Sequence, residues 1–261
     1  MKILILRRYA MEPRLAWHED DSFWKIWEPW MFTQQRIADA KDEVDKVIKL
    51  IKIGPESHIL DLCCGVGRHS LEFARRGYRV TGVDRTKVYL DKARKQAKEE
   101  GLDIEFVQGD MRFFSRPNTF NVVINMFTSF SYFEDPQEDK RVVENVFESL
   151  KPGGRLIIQM HGKETLAKIF RERDWYENNN LGVIVLQERK VSHNWSWMEN
   201  RWIMLKGDER IENKVCHRLY AGSELVTLLR DCGFSQVDLY GDLDGNPFDQ
   251  TDRQLVAVGY K

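Results

Sequence analysis

The chain has 261 residues, 42% of them apolar and 11% aromatic, which is enough for a packed core and argues against intrinsic disorder. Its 40 basic residues are balanced by 41 acidic ones, a formal net charge of -1, so the whole chain carries no electrostatic footprint for nucleic acid or an anionic membrane. At roughly 150 residues per domain, the length suits a single α/β domain with an insertion.

Residues 1 to 32 include Trp17, Phe23, Trp24, Trp27, Trp30 and Phe32 among charges, a density that must dock on something, as a lid over a site or as a packing strap. From Thr33 onward Ile37, Ala40, Val44, Val47 and Ile51 alternate at spacings of three and four, which predicts a helix with one apolar face ended by Gly54 and Pro55. The chain then alternates. A strand at 59–62, a helix from Arg68 stopped by Gly77, a strand at 79–83, a helix from Thr86 stopped by Gly101 and a strand at 104–108 come first. A strand at 121–125, a helix from about Asp139 to Leu150, the turn "KPGG" and a strand at 155–160 follow. Strands separated by helices of this length imply right-handed crossovers and a parallel sheet covered on both faces.

Between Gly182 and Tyr220 the pattern changes to three alternating stretches, "VIVLQERKV", "SWMENRWIML" and "RIENKVCHRLY", read as an antiparallel insertion. "SELVTLLRDCGF" then predicts an amphipathic helix capped by Ser223 and stopped by Gly233, followed by strands in "VDLYGDL" and "QLVAVGYK". The four cysteines, Cys63, Cys64, Cys216 and Cys232, lack the spacing of a zinc site or a disulfide framework and read as reduced core thiols. The run in "MKILILRRYA" is too short for a signal-peptide core and no stretch of 18 apolar residues exists, so a cytoplasmic protein is expected.

A strand that enters a glycine turn and a helix N-terminus is a nucleotide-facing device: glycines let backbone approach the ligand while free helix N–H groups point at it. Gly65 and Gly67 fill that role. A dinucleotide turn would carry a third glycine where this chain has Ser70, and Asp61, directly ahead of the turn, would crowd a pyrophosphate while favouring a cationic ligand. Asp84, 84 minus 65 or 19 residues beyond the first glycine, can accept both hydroxyls of a ribose, as in NAD and adenosyl ligands alike. Asp110 ends the third strand, where it could accept an adenine amino group while Met111 packs the ring.

With "LDLCCGVG", "GVD", "GDM" and "FNVVINMFTSF", the chain resembles the class I S-adenosylmethionine-dependent methyltransferases over about residues 55 to 160. Within them it is similar to a bacterial group with "LDLCCGxGRHS" associated with small-molecule methylation. "SFSYFED", "GKE", "RLY" and "GDLDG" extend the similarity from about Phe23 to the end. The resemblance implies an α/β Rossmann-like fold: a seven-stranded, mostly parallel sheet with a reversed final hairpin and helices on both faces. Residues 1–54 would form an aromatic lid and helix, 55–181 the cofactor-binding core, 182–220 the antiparallel β insertion and 221–261 the helix and strands that complete the core. It implies S-adenosyl-L-methionine as cofactor, S-adenosyl-L-homocysteine as product, and a cofactor site of Asp61, Gly65, Gly67, Asp84, Arg85, Asp110, Met111 and Asn125. The family's glycine pattern begins one step earlier, where this chain has Cys63.

A sulfonium carries an activated methyl group, so transfer needs positioning, exclusion of water and removal of one proton, and no metal. His161, just past a strand end, is the candidate general base, with a structural hydrogen bond as its other reading. Tyr132 is a second catalytic candidate. Trp24, Phe127, Phe130 and Tyr220 are candidate walls of an acceptor pocket. His69 either meets a cofactor carboxylate or braces a neighbouring loop, and Trp195, Trp197 and Trp202 face the site, a second copy in a homodimer, or the core. The expected partner is a small-molecule acceptor. RNA and protein acceptors are alternatives, disfavoured by the charge balance and by the lack of a Pro-Pro-aromatic clamp in "NMFTSF"; a silent cofactor-binding module and a nicotinamide oxidoreductase are further ones.

Overall fold

The computed structural model describes residues 15–249 and 251–261. A 3₁₀ turn at Trp17–Glu19 leads into α1 (Asp21–Met31), whose first turn is capped by Asp20 accepting from the Ser22 N–H at 2.8 Å. Helix α2 (Gln34–Ile51) is capped by Thr33 and buries Ala40, Val44, Val47 and Ile51 as the spacing predicts. Ile37 is 46% exposed, because it lies in the first turn before the helix meets the core. The helix ends at Lys52 in the left-handed region (φ 49°), ahead of the expected stop at Gly54.

Then come β1 (His58–Leu62), α3 (Arg68–Arg75), β2 (Arg79–Asp84), α4 (Lys87–Glu99), β3 (Ile104–Gln108), β4 (Phe120–Asn125), α5 (Pro136–Ser149) and β5 (Leu150–Met160). Helix α5 starts ahead of the expected Asp139 because Asp135 caps it and Pro136 occupies the first position, where a missing N–H costs nothing. After α6 (Lys163–Ile169) the chain forms β6 (Arg173–Asn178), β7 (Val183–Ser192), β8 (Trp197–Lys206) and β9 (Glu209–Arg218). Helix α7 (Gly222–Asp231), β10 (Gln236–Tyr240) and β11 (Leu255–Tyr260) complete it. Ser223 is not the cap of α7: the helix begins at Gly222, and Glu224 reaches back to accept the Ala221 N–H at 2.8 Å.

The main sheet has the order β10-β11-β5-β4-β1-β2-β3, with β11 antiparallel to both neighbours and the other pairings parallel. This is the α/β architecture with a reversed final hairpin expected above. Period-two alternation sends Leu60, Val123 and Leu156 to one face, under α5 and α7, and Ile59, Val122 and Ile157 to the other, under α2 and α3. The strand order reverses between β1 and β4, and ligands of open α/β sheets bind in the crevice at that reversal, outside the carboxyl ends of the strands.

A second, antiparallel sheet has the order β6-β7-β8-β9. It begins at Arg173, ahead of the Gly182 start read from the sequence, because β6 is a solvent-facing edge strand with Trp175 60% and Tyr176 41% exposed, so no buried alternation marks it. One face of this sheet packs Val183, Val185, Met204 and Val215 against Phe23 and Trp27 of α1. The Trp27 indole N–H donates to Asn213 Oδ1 at 2.9 Å, and the Tyr89 hydroxyl of α4 donates to the Trp24 carbonyl at 2.5 Å. Helix α1 thus bridges the two sheets. No helix among the described residues is long and apolar enough to cross a membrane.

Candidate active site

The turn after β1 sets the geometry. Cys63, Gly65 and Gly67 all have positive φ (65°, 56° and 79°), a curl that carries the chain from the strand end to the first turn of α3. Glycine is required at the last two on a second count: a Cβ on Gly65 would lie 2.8 Å from the Phe32 ring and one on Gly67 2.9 Å from Ala93 Cβ. Asp61, fully buried, accepts the Ser70 hydroxyl at 2.6 Å and so ties β1 to α3. Burial pushes its carboxyl above the usual range, with His69, Ser70 and Arg68 opposing.

Asp84, at the end of β2, accepts the Gly65 N–H at 2.8 Å on one oxygen and the Thr86 N–H at 2.7 Å on the other. Burial raises its pKa and these backbone bonds oppose the shift. Each oxygen keeps a second lone pair for a ribose hydroxyl. Asp110 follows β3. Burial works against its charge, but the Arg112 guanidinium, within 2.6 Å, holds its pKa below the usual value. Arg112 also reaches Glu19 at 2.7 Å, linking Asp110 to the N-terminal segment. Met111 Sδ lies 3.4 Å from Cys63 Sγ, beneath the turn. At the end of β4, Asn125 donates to the Leu62 carbonyl at 3.3 Å while its buried Oδ1 has no partner among the described residues.

A cavity of about 1270 Å³ runs from these strand ends to the inner face of the second sheet. Its cofactor-side wall includes Asp61, Gly65, Asp84, Asp110 and Met111; its far wall includes Gln187, Arg189, Asn200, Trp202 and His217. Between them the N-terminal segment contributes Trp17, His18, Trp24 and Trp30 to the lining. Trp17 donates its indole N–H to the Cys216 carbonyl at 2.8 Å and packs on Tyr132 with ring centres 4.8 Å apart. Its neighbour His18, buried, is pushed down to about 4 and stays neutral.

Residues 59–154 match the family model described as a methyltransferase domain. A solved S-adenosylmethionine-dependent methyltransferase from Clostridium acetobutylicum superposes with a TM-score of 0.73 at 15% identity, covering 92% of this chain and 98% of that one. This is the class I methyltransferase fold. By sequence the chain is similar to YqeM of Bacillus subtilis, whose name gives a methyltransferase and no acceptor, at 26% identity over 203 residues, 76% of this chain and 82% of YqeM. It is also similar to a Streptomyces venezuelae dTDP-3-amino-3,4,6-trideoxy-alpha-D-glucopyranose N,N-dimethyltransferase, at 31% over 122 residues, 47% of this chain and 49% of that one.

The residues around the glycine turn fit S-adenosylmethionine. Acids stand at three successive strand ends, and Arg68 Nη2, on a residue of the cavity wall, is buried with no partner among the described residues. Buried polar groups are rarely left so without a ligand or water to satisfy them.

Of the residues singled out in the sequence, Asp61, Gly65, Asp84, Arg85, Asp110, Met111, Trp24, Phe127, Tyr132 and His161 line the cavity. Gly67 and Asn125 stand behind the turn and β4. The guanidinium of Arg85 is engaged by Asp21 at 2.7 Å and by the Glu19 carbonyl, so it anchors the N-terminal segment. Phe130 and Tyr220, expected as pocket walls, do not reach the cavity: their rings pack 5.8 Å apart in the core, and the Tyr220 hydroxyl donates to Asp139 at 2.8 Å. Burial pushes that carboxyl up to about 7, against Tyr220 and Arg218. His69 lines the cavity and also meets Glu43 of α2 at 2.7 Å, so it stands at the cavity wall and braces a neighbouring element at once. Trp202 faces the cavity; Trp195 and Trp197 do not line it, and Trp195 packs on Phe170.

Sequence reasoning passed over His18, Arg36, Arg68 and His217, all of which line the cavity. Arg68 carried a signal, its place directly after the glycine turn. His217 lies in a strand whose inward face only the tertiary fold defines.

Proposed function

We propose that this protein transfers a methyl group from S-adenosylmethionine to a nitrogen, oxygen or carbon atom of a small molecule enclosed between the two sheets. The observation that carries the reading is the cavity. A pocket for one drug-sized ligand measures roughly 300–1,000 Å³, and this one, at about 1270 Å³, extends from the cofactor acids to a separate wall of aromatic and polar side chains. There is room for a cofactor and a second small molecule, and side chains of the N-terminal segment share the lining with both walls. The sugar-nucleotide relative agrees with a small acceptor.

When bound, the cofactor supplies an electrophilic methyl group on a cationic sulfur. The chain's own residues do the rest. The strap of Trp17, His18 and Trp24 excludes water, and the acids at the strand ends orient the nucleoside. His161 Nδ1 lies 3.1 Å from the Arg253 carbonyl; donating there fixes the tautomer and leaves Nε2 as a free acceptor for a proton lost by the acceptor molecule. Tyr132 has its hydroxyl pushed above the usual range by burial, so it stays protonated and acts as a hydrogen-bond donor in place of a base.

The test is methyl transfer from radiolabelled S-adenosylmethionine into native cell extract, followed by separation into small molecules, RNA and protein. Label in the small-molecule fraction is the expected outcome and yields a compound to identify by mass. Label in RNA or protein would replace the acceptor class, and cofactor binding with no transfer to any fraction would leave a silent binding module.

A further inference from the structure

Three of the four sheet edges have a backbone group taken by another element. In the main sheet the Phe106 carbonyl of β3 accepts from the Arg94 guanidinium at 2.9 Å, and Tyr240 of β10 is bridged by Pro247. In the second sheet the Cys216 carbonyl of β9 accepts from Trp17 at 2.8 Å. Strand β6 is different: it pairs with β7 on one side and, among the described residues, with no strand on the other. Open edges are commonly blunted by lysine, proline or a bulge. The β6 sequence, "RDWYEN", holds neither lysine nor proline, its register with β7 is unbroken, and Trp175 in its middle is 60% exposed.

Alternate residues of an antiparallel strand turn both backbone groups to the same side. The Glu172 carbonyl accepts the Arg189 N–H of β7 at 2.7 Å, so Asp174, Tyr176 and Asn178 also face β7, while Arg173, Trp175 and Glu177 present N–H and C=O groups to the open side. The Trp175 N–H agrees, since it donates to the neighbouring Asp174 side chain, Oδ1 at 2.9 Å, and not to a strand. Side chains alternate as well: Asp174 and Tyr176 line the cavity, which leaves Arg173, Trp175 and Glu177 on the outer face. A row of alternating charge crosses that face. Glu212 meets Arg201 at 2.5 Å, Arg201 meets Glu188 at 2.7 Å, and Glu188 reaches Arg173 at 3.7 Å. The row stops on the open edge at Arg173, whose side chain is 84% exposed, and the next member in alternation would be an acid.

We propose that β6 pairs with β6 of a second copy of this chain, antiparallel about a two-fold axis at Trp175, so that two four-stranded sheets become one continuous sheet. Charge selects the register. Centred on Trp175, each Arg173 stands opposite Glu177 of the other copy, the charge row runs on without a break, and two exposed indoles meet at the axis. Only outward residues can pair, so the register moves in steps of two. One step sets Asp174 against Asp174, and the opposite step sets Trp175 against Glu177. The formal net charge of -1 per chain opposes association little. Exposed ion pairs add little affinity, so they specify the register while backbone bonds and the indoles hold it. On the cavity side the same register brings Tyr176 of the second copy beside Asp174, which already accepts its own Tyr176 hydroxyl at 2.9 Å. Each copy then adds a residue to the β6 margin of the other's cavity. This pairing stands whether or not the methyl-transfer reading does.

Sedimentation velocity on the full chain tests it. Wild type should show an equilibrium between the 30.9 kDa monomer and a dimer of twice that mass. Its dissociation constant should be on the order of 10 μM or below, as suits a small interface. Arg173→Glu and Glu177→Arg each set like charges opposite one another at both ends of the pairing, so either variant alone should associate at least roughly 10-fold more weakly. Mixed in equal amounts, the two variants should recover wild-type association as a heterodimer, because one presents two acids to the two bases of the other. A folding defect in either chain would not be rescued by mixing. A wild type still monomeric at ~100 μM would overturn the proposal, being weaker than any specific interface of this size. Single variants that dimerise as wild type does would overturn it by placing the interface elsewhere, and a mixture that stays monomeric would overturn the register.

Discussion

The two walls of the cavity are built by different means. On the cofactor side, backbone does the positioning: Gly65 and Thr86 hold Asp84 through their N–H groups, and the residues involved come from consecutive strand ends within a span that runs from Asp61 to Asn125. On the acceptor side, side chains do it. Trp17 reaches Cys216 and Trp27 reaches Asn213, contacts between segments almost 200 residues apart. A site of the first kind is fixed by local sequence, whereas one of the second kind exists only after a strap, a second sheet and a core sheet have docked.

The contrast is broken most strongly at Asp84. Asp84→Ala removes the proposed acceptor for two ribose hydroxyls and loosens the Gly65 and Thr86 N–H groups together, so S-adenosylhomocysteine affinity in calorimetry should fall ~100-fold or more. Binding at wild-type strength would show that the nucleoside lies elsewhere. Thermal stability should fall as well, by a few degrees, since the Gly65 and Thr86 N–H groups lose their acceptor while the apolar faces of the sheet are untouched.

Trp27→Ala acts on the other wall. The side chain is fully buried between α1 and the second sheet, and truncating such a residue costs about 3–5 kcal/mol. The melting temperature should drop by roughly 10 °C, on the scale of about 2–4 °C per kcal/mol for a domain of this size. The cofactor residues should survive in place, so S-adenosylhomocysteine binding measured well below the transition should weaken by less than tenfold. A larger loss would mean that the strap, and not the backbone turn, organises the nucleoside site.

How much of each wall was legible follows from the same difference. The glycine turn, the three acids and the helix and strand order between them could be read because backbone rules act over a few residues. Asn125 was placed correctly at a strand end, yet its orphaned Oδ1 is visible only in three dimensions. Tyr220 was misplaced for the opposite reason: its position after the insertion resembles that of a pocket residue, but its hydroxyl is claimed by Asp139, 81 residues away in sequence. Strand β6 left no trace because neither of its faces is buried, and periodicity records burial.

Acid should act on the acceptor wall through His18. The usual imidazole value is 6.5, and burial, opposed by Glu19 and Asp110 and aided by Arg112 and Arg85, takes it down to about 4. Between those values the unfolded chain holds a proton that the folded chain does not. The stabilising contribution of the docked strap is therefore whole above about pH 6.5 and lost as pH falls towards about 4. His58 and His217, likewise pushed down to about 4 by burial, add slopes of the same sign. His18→Gln should flatten the fall in melting temperature between pH 6.5 and 4.5 relative to wild type, and an unaltered slope would show that the strap opens before His18 titrates.

The smallest effect is expected at Cys63, where the glycine pattern that the chain resembles begins with glycine. Its φ of 65° is a left-handed conformation that costs a side-chain-bearing residue roughly 1–2 kcal/mol, so Cys63→Gly should relieve strain. Two terms oppose that gain. Glycine loses more freedom on folding, about 0.5–1 kcal/mol, and the contact between the thiol and Met111 Sδ at 3.4 Å disappears. The sum is near zero, and the melting temperature should move by less than about 3 °C in either direction. Binding distinguishes the two roles of the position. If glycine stands there in relatives only to permit the turn, S-adenosylhomocysteine affinity will be unchanged, because this chain already makes the same turn with a thiol. If it stands there to let the ligand approach the backbone, affinity will rise in the glycine variant, and the cysteine will have been holding the cofactor slightly away from the turn.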